Sequence, residues 1–141
     1  MAITKKLYAT TVTVTGGREG HAVSQDGLLD VQLRRPKING VAEGTNPEQL
    51  FAAAWGGCLQ SALMAVARKA SVDVSSSVVT VEIAQGPDDQ GGYGIGAVIT
   101  IEIPGMATQQ AEELVQAAHD LCPYSRATRG NIEVDLQVRT S

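Results

Sequence analysis

The sequence predicts an α+β fold with antiparallel sheet and two main helices. Segments that alternate apolar and polar residues, as strands do, occur in groups of three, two and one, and two longer segments with helical periodicity separate these groups. The resulting order, β-β-β-α-β-β-α-β, is not the strict alternation of a doubly wound parallel sheet. A chain of 141 residues is expected to form a single domain over residues 1–141.

Three strands are predicted before the first helix. Residues 7–14 are rich in threonine and valine, and a glycine-rich turn at 16–20 leads into a short strand over 21–24. A further turn precedes a third strand over 29–33, in which leucine and valine alternate with polar residues, and Pro36 ends it.

The first helix has a clear predicted start. Asn46 suits the N-cap, Pro47 the first helical position, and Gln49 lies three residues after the cap. The helix is expected to run to about Ala70. From Leu50 onwards it is apolar on nearly every side, which is typical of a buried helix and indicates a partner subunit, because a small domain seldom surrounds such a helix.

The second half of the chain is predicted to contain a long antiparallel hairpin, a second helix, a short connector and a last strand. The hairpin pairs residues 79–83 with 95–103, and the second helix covers 107–121. The connector covers 125–130 and the last strand 132–138.

Charge and composition argue against several partners. The net charge is −4 and the eleven lysines and arginines are scattered, so neither nucleic acid nor an anionic membrane surface is expected to bind. We find no signal-peptide pattern and no continuous run of 18 apolar residues, so no membrane span is expected. A cytoplasmic location follows as the expectation, and there a disulfide is more often catalytic than structural.

The two cysteines are the first candidates for chemistry. Cys58 lies in an apolar stretch of small residues, and Cys122 ends a helical pattern immediately before Pro123. Two such residues can form a redox couple, in which one thiolate attacks an oxidant and the other resolves the sulfenic acid as a disulfide. The alternative is that Cys58 is only a small buried hydrophobic residue. Reactivity would require a nearby cation, because apolar surroundings raise the pKa of a thiol.

Arg18 is the candidate cation, and Glu48 is its candidate partner. Arg18 lies in the glycine-rich turn, where its guanidinium could bind a thiolate, a carboxylate or a peroxide oxygen, or could simply face solvent. Glu48 could pair with Arg18 or complement the helix dipole. Cys58 is ten residues after Glu48, about 15 Å along an unbroken helix. One arginine cannot reach both, so either the helix breaks near Gly56 and Gly57 or the site joins two subunits.

Other chemistries have little support in the sequence. His119 and Cys122 form a His-x-x-Cys pattern, but no second pair has the spacing of zinc ligands, so no metal is expected. There is no Gly-x-Ser-x-Gly elbow of a serine hydrolase. The glycines at 91–94 precede a strand rather than a helix, so no phosphate-binding loop and no cofactor are expected.

Together these motifs resemble the organic hydroperoxide resistance branch of the OsmC-like family. The resemblance covers essentially the whole chain in motif order and spacing. Its carriers are Gly-Gly-Arg-Glu-Gly at 16–20, Thr-Asn-Pro-Glu-Gln-Leu-Phe-Ala-Ala at 45–53, Cys58, and Cys-Pro-Tyr-Ser-Arg-Ala-Thr-Arg-Gly-Asn at 122–131.

The resemblance implies a thiol-dependent peroxidase that acts on organic hydroperoxides. By analogy Cys58 is the peroxidatic residue, Cys122 resolves it, Arg18 stabilises the thiolate and Glu48 orients Arg18. The family fold is an intertwined homodimer, and the typical reductant is a dihydrolipoyl group on a partner protein rather than thioredoxin. An OsmC-type peroxidase with a different oxidant or reductant, and a non-enzymatic redox sensor, are the alternatives.

The chain departs from the family around Cys58. Relatives usually carry Tyr-Ala-Ala before the cysteine and Phe after it, whereas this chain has Trp-Gly-Gly at 55–57 and Leu59. We expect an apolar wall for an alkyl or acyl chain in this region. Its predicted members are Leu50, Phe51, Trp55 and Leu59.

Overall fold

The structure is a computed structural model that describes residues 1–37 and 40–141. Within these residues it is an α+β protein with two three-stranded sheets and three α-helices. The chain divides into two compact units, residues 1–50 and residues 51–141. The order of strands and main helices is the one predicted from the sequence.

The first unit contains an antiparallel sheet in the order β1-β2-β3. The strands are β1 (Val12–Thr15), β2 (His21–Ser24) and β3 (Asp30–Gln32), and a 3₁₀ turn (Gly17–Glu19) connects the first two. The prediction that β1 begins at residue 7 is wrong, since residues 7–11 lie outside any strand. The ladder with β2 covers the four residues of β1, and the carbonyl of Thr11, just before it, accepts the N–H of Gln25 at 2.9 Å.

Helix α1 (Pro47–Lys69) begins as predicted. The backbone N–H of Gln49 donates to Asn46 Oδ1 at 2.9 Å, which confirms the N-cap. Of the two alternatives for the site, a helix break near Gly56 and Gly57 is wrong, because the helix continues through both residues. Each glycine costs about 1 kcal/mol relative to alanine in a helix interior, but tertiary packing supplies most helix stability in proteins.

The sheet of the second unit has the order β4-β5-β6. Strands β4 (Val78–Pro87) and β5 (Tyr93–Glu102) form the predicted antiparallel hairpin, but β6 (Val134–Arg139) runs parallel to β5. The expectation of a purely antiparallel sheet is therefore wrong. The cause is the crossover between β5 and β6: it carries the chain back to the start of β5, so that the next strand runs in the same direction.

Two helices form this crossover, α2 (Thr108–Leu121) and α3 (Pro123–Thr128). The second was not predicted, since the sequence indicated only a short connector at 125–130. Cys122 separates the helices with an extended backbone (φ −63°, ψ 122°), and Pro123 occupies the first turn of α3, where a missing N–H does no harm. The carbonyl of Cys122 accepts the N–H of Arg126 at 2.9 Å. Cys122 therefore lies at a corner of well-defined geometry.

One face of α1 packs in the hydrophobic core of the second unit. Among the core residues are Trp55, Leu59, Leu63, Ile99, Ile101, Ile103, Val115, Ala118 and Cys122. The opposite side of α1 is open in this chain: Ala53 and Gly57 are exposed, and Met64 is 44% exposed. The chain itself therefore does not bury the helix on all sides, and the expected partner subunit stays a prediction.

The expectation that nothing spans a membrane stays a prediction. By length and composition alone, helix α1 is long and apolar enough to do so, with 23 residues and a mean hydropathy of 1.5. Core helices of soluble proteins meet the same criterion. Here Trp55, Leu59 and Leu63 of α1 are completely buried within the protein.

Candidate active site

The structure brings Cys58 and Cys122 together. Cys58 lies half-buried on α1, and Cys122 lies fully buried at the corner between α2 and α3. The two thiols are free, and Cys122 lies near enough to raise the pKa of Cys58, which the backbone N–H of Tyr124 lowers. Two free thiols that lie close together in the fold are what a reversible disulfide requires.

The surroundings of Cys58 favour its protonated form. Burial is the largest cause that raises its pKa, and contact with Cys122 raises it further. The N–H of Tyr124 acts in the opposite direction, because it stabilises the thiolate. A cation would be needed to make this thiol reactive near neutral pH.

A hydrogen bond between two buried side chains lies beside the cysteines. Trp55 Nε1–H donates to Ser125 Oγ at 3.0 Å, and both residues have no exposed surface. Sequence reasoning included Ser125 in the motif at 122–131 but missed this contact. Proline after Cys122 could have indicated the helix that carries Ser125, but not its partner on α1.

The four predicted pocket residues differ in exposure. Trp55 and Leu59 are completely buried, so neither presents surface to a substrate in this chain. Leu50, in the first unit, is half-buried. Phe51 is also half-buried; its ring meets that of Trp55 edge to face, with centroids 5.7 Å apart.

Phe51 lines an open groove of about 900 Å³ in the second unit. Apolar side chains and three carboxylates share this groove, and they include Tyr93, Ile95, Ile132, Asp88, Asp89 and Glu133. Of the residues in the second unit that were predicted to form the pocket, Phe51 is therefore the one with surface available to a ligand.

In the first unit, Arg18 and Glu48 form a bidentate ion pair. Arg18 Nη1 and Nη2 donate to the two carboxylate oxygens of Glu48 at 2.7 and 2.6 Å. The hydrogen bond from Arg18 is the largest cause that lowers the pKa of Glu48, and the same bond raises the pKa of Arg18. Arg18 retains 41% of its side-chain surface and Glu48 retains 19%. The guanidinium is therefore oriented by Glu48 but still accessible.

The backbone of the glycine-rich turn explains the position of Arg18. Gly16 and Gly17 adopt positive φ angles of 75° and 56°, which side chains disfavour. At Gly20, a Cβ would lie 1.7 Å from the carbonyl oxygen of Thr15. Only glycine fits at that close approach, and the turn presents Arg18 at its tip.

His119 takes no part in a metal site in the described structure. Within residues 1–37 and 40–141, no three His, Cys, Asp or Glu side chains are grouped as metal ligands would be. The Nδ1 atom of His119 is buried without a hydrogen-bond partner among the described residues. Burial is the main cause that lowers its pKa, Arg129 lowers it further, and Asp120 opposes them.

Comparisons with known proteins agree on one family. A family model described as "OsmC-like protein" matches residues 40–137. An organic hydroperoxide resistance protein of Xanthomonas axonopodis pv. citri is 47% identical, over 94% of each chain. The crystal structure of an organic hydroperoxide resistance protein from Elizabethkingia anophelis is 42% identical, covers 97% of this chain and 99% of its own, and gives a TM-score of 0.89. The crystal structure of OhrB from Bacillus subtilis is 39% identical, covers 95% of this chain and 100% of its own, and also gives a TM-score of 0.89.

Proposed function

Because this chain belongs to the OsmC-like family, and to the organic hydroperoxide resistance proteins within it, we propose that it is a thiol-dependent peroxidase that reduces organic hydroperoxides to alcohols. The observation that carries the proposal is that Cys58 and Cys122 are both free thiols and lie close enough in the fold for Cys122 to raise the pKa of Cys58. The proposed place of action is the cytoplasm, where the disulfide would be reduced again.

The chemistry proceeds in three steps. The thiolate of Cys58 attacks the terminal oxygen of the hydroperoxide, the O–O bond breaks, and the alkoxide takes a proton and leaves as an alcohol. Cys122 then attacks the sulfenic sulfur, an S–S bond forms, the S–O bond breaks and water leaves. Finally a dithiol exchanges with the disulfide and returns both cysteines to thiols. We propose a dihydrolipoyl group on a partner protein as this dithiol.

Arg18 is proposed to stabilise the thiolate of Cys58, with Glu48 orienting the guanidinium. The raised pKa of Cys58 supports the need for a cation. Arg18 is held by Glu48, which lies ten residues before Cys58 on the unbroken helix α1. One arginine cannot bind both residues of one such helix, so we propose that Arg18 serves the cysteine of a second subunit in an intertwined homodimer.

The first experiment tests the redox couple. One equivalent of tert-butyl hydroperoxide should remove two hydrogens from the intact mass of the wild type. Cys122→Ser should instead gain oxygen atoms up to the sulfinic and sulfonic acids, and Cys58→Ser should lose turnover. Turnover is measured with dihydrolipoamide and with thioredoxin as donors, which separates this activity from an OsmC-type peroxidase of different preference. A fully active Cys58→Ser protein would show that the proposal is wrong.

The second experiment tests the subunit arrangement. Homodimers of Arg18→Ala and of Cys58→Ser are inactive separately and are mixed under conditions that exchange subunits. Heterodimers then contain one intact site if Arg18 of one chain serves Cys58 of the other, and activity returns. A mixture that exchanges subunits but stays inactive would place Arg18 with the cysteine of its own chain.

A further inference from the structure

We propose that the hydrogen bond between Trp55 and Ser125 positions Cys122 for attack on oxidised Cys58, and that it thereby sets the resistance of this chain to over-oxidation. The inference rests on the proposed peroxidase function. It assigns to both residues a positioning role in the resolving step, without direct contact with the hydroperoxide.

The bond joins the two helical segments that carry the sulfur atoms. Trp55 lies three residues before Cys58 on α1, and Ser125 lies three residues after Cys122 in α3. Residues three apart on a helix share a face, so Trp55 lies on the side of α1 that carries Cys58. Both partners are fully buried and their donor and acceptor are 3.0 Å apart. Each would therefore be left without a partner if the helices separated.

The first turn of α3 meets α1 at two polar contacts, and oxidation of Cys58 alters only one of them. One is the approach of the Tyr124 N–H to Cys58, which lowers the pKa of that thiol, and the other is the 3.0 Å hydrogen bond from Trp55 Nε1–H to Ser125 Oγ. The first contact involves the sulfur that is oxidised, so it changes during each cycle. The second involves neither sulfur and is available throughout. It can therefore hold α3 in register with α1 while Cys58 is a sulfenic acid.

Register matters because disulfide geometry is narrow. The Cα atoms must lie about 4.4–6.8 Å apart, with a C–S–S–C dihedral angle near ±90°. Cys122 has little freedom to search for this geometry, since its backbone closes α2 and opens α3. A shift of α3 along α1 would move its sulfur off the line of attack, and a misplacement of about 1 Å can slow a reaction about a hundredfold.

The rate of resolution decides between two fates of the sulfenic acid. In the first, Cys122 attacks the sulfur and water leaves. In the second, the sulfenate attacks a further hydroperoxide, the O–O bond breaks, an alcohol leaves, and Cys58 becomes a sulfinic acid. The second rate rises with hydroperoxide concentration and the first does not. Slower resolution therefore lowers the hydroperoxide concentration at which Cys58 is over-oxidised, by the same factor.

The test uses three variants: Ser125→Ala, Trp55→Phe and the double variant that combines them. The control is Ile101→Val. The first two remove one partner each, and the control changes a fully buried core residue without a polar group. Each protein turns over with dihydrolipoamide at increasing cumene hydroperoxide. Intact-mass spectrometry gives the concentration at which half of the protein carries two extra oxygens. Trp55 is the one tryptophan of the chain, so its fluorescence follows disulfide closure where it is retained.

We expect Ser125→Ala and Trp55→Phe each to lower this concentration at least about fivefold, as misplaced reacting groups do. The double variant should equal the single ones, because one bond is lost in all three. In Ser125→Ala, alkylation of Cys58 before oxidation should keep its wild-type rate while closure slows, a split that general destabilisation does not produce. Ile101→Val should behave as the wild type.

The failures are distinguishable. A wild-type protein that forms no disulfide with hydroperoxide refutes the proposed function itself. If the wild type does form it, but both single variants over-oxidise at the wild-type concentration, the positioning role is wrong. The same conclusion follows if Ile101→Val shifts as far as Ser125→Ala, since core destabilisation would then account for the effect. Should Trp55→Phe not fold, Ser125→Ala and its control decide alone.

Discussion

Replacement of Leu59 with alanine tests whether a residue adjacent to Cys58 supports the site from within the core or contacts the substrate. Leu59 has no exposed surface and belongs to the main hydrophobic cluster. A leucine-to-alanine change at such a position costs about 2–5 kcal/mol, a large part of the roughly 5–15 kcal/mol by which domains are stable. We therefore expect the free energy of unfolding, measured with urea, to fall by about that amount.

Substrate preference should not follow this loss of stability. For the wild type we expect kcat/KM with organic hydroperoxides to exceed that with hydrogen peroxide at least about tenfold, the effect of burying roughly two methylenes at about 0.8 kcal/mol each. Leu59→Ala should retain that ratio, because the side chain presents no surface to a substrate. Phe51→Ala, in the open groove, should lower it.

Two results would refute this reasoning. A Leu59→Ala protein that loses less than about 1 kcal/mol of stability while its preference collapses would place Leu59 against the substrate rather than in the core. A Phe51→Ala protein that keeps the full preference would show that the groove is not part of the substrate site. Equal efficiency of the wild type with both classes of peroxide would show that no apolar pocket contributes to substrate preference.

The remaining predictions concern the ion pair and the helix cap. Arg18→Ala should raise the pKa of Cys58, measured by the pH dependence of its alkylation, and lower its reactivity with peroxide by orders of magnitude. Arg18→Lys should restore only part of that reactivity, because lysine keeps the charge but lacks the planar guanidinium. An unchanged alkylation profile in Arg18→Ala would contradict the role of Arg18 in stabilising the thiolate. Arg18 lowers the pKa of Glu48 from 4.5. Any stability that the wild type has over Glu48→Gln should therefore be present above pH 4.5 and disappear as the pH falls through the lowered pKa. Thermal unfolding on both sides of pH 4.5 tests this, and a stability difference that does not depend on pH would refute it. Asn46→Ala should cost about 1 kcal/mol in urea unfolding, because the N–H of Gln49 loses its cap, and no change would mean that the cap contributes nothing.

Local signals predicted the start of α1, the β4–β5 hairpin and α2. The cap at Asn46 and the alternation in the hairpin depend on residues close in sequence, so one sequence contains all the information needed. The direction of β6 does not have this property. Its alternating pattern is the same for a parallel and an antiparallel neighbour, and only the path of α2 and α3 between β5 and β6 decides which occurs.

The candidate site shows the same division. The sequence by itself determined which residues are candidates for the chemistry: two thiols, one arginine in a turn that requires glycine, and one glutamate at a helix start. The tertiary structure alone decided that Trp55 bonds to Ser125 and that Leu59 is buried, since a helix face is specified by sequence but its neighbour is not. The contact between Cys58 and Cys122 joins residues 64 positions apart. Such a contact depends on how whole helices and strands pack. Burial of apolar area stabilises many pairings of these elements to a similar extent, and only the complete fold selects one of them.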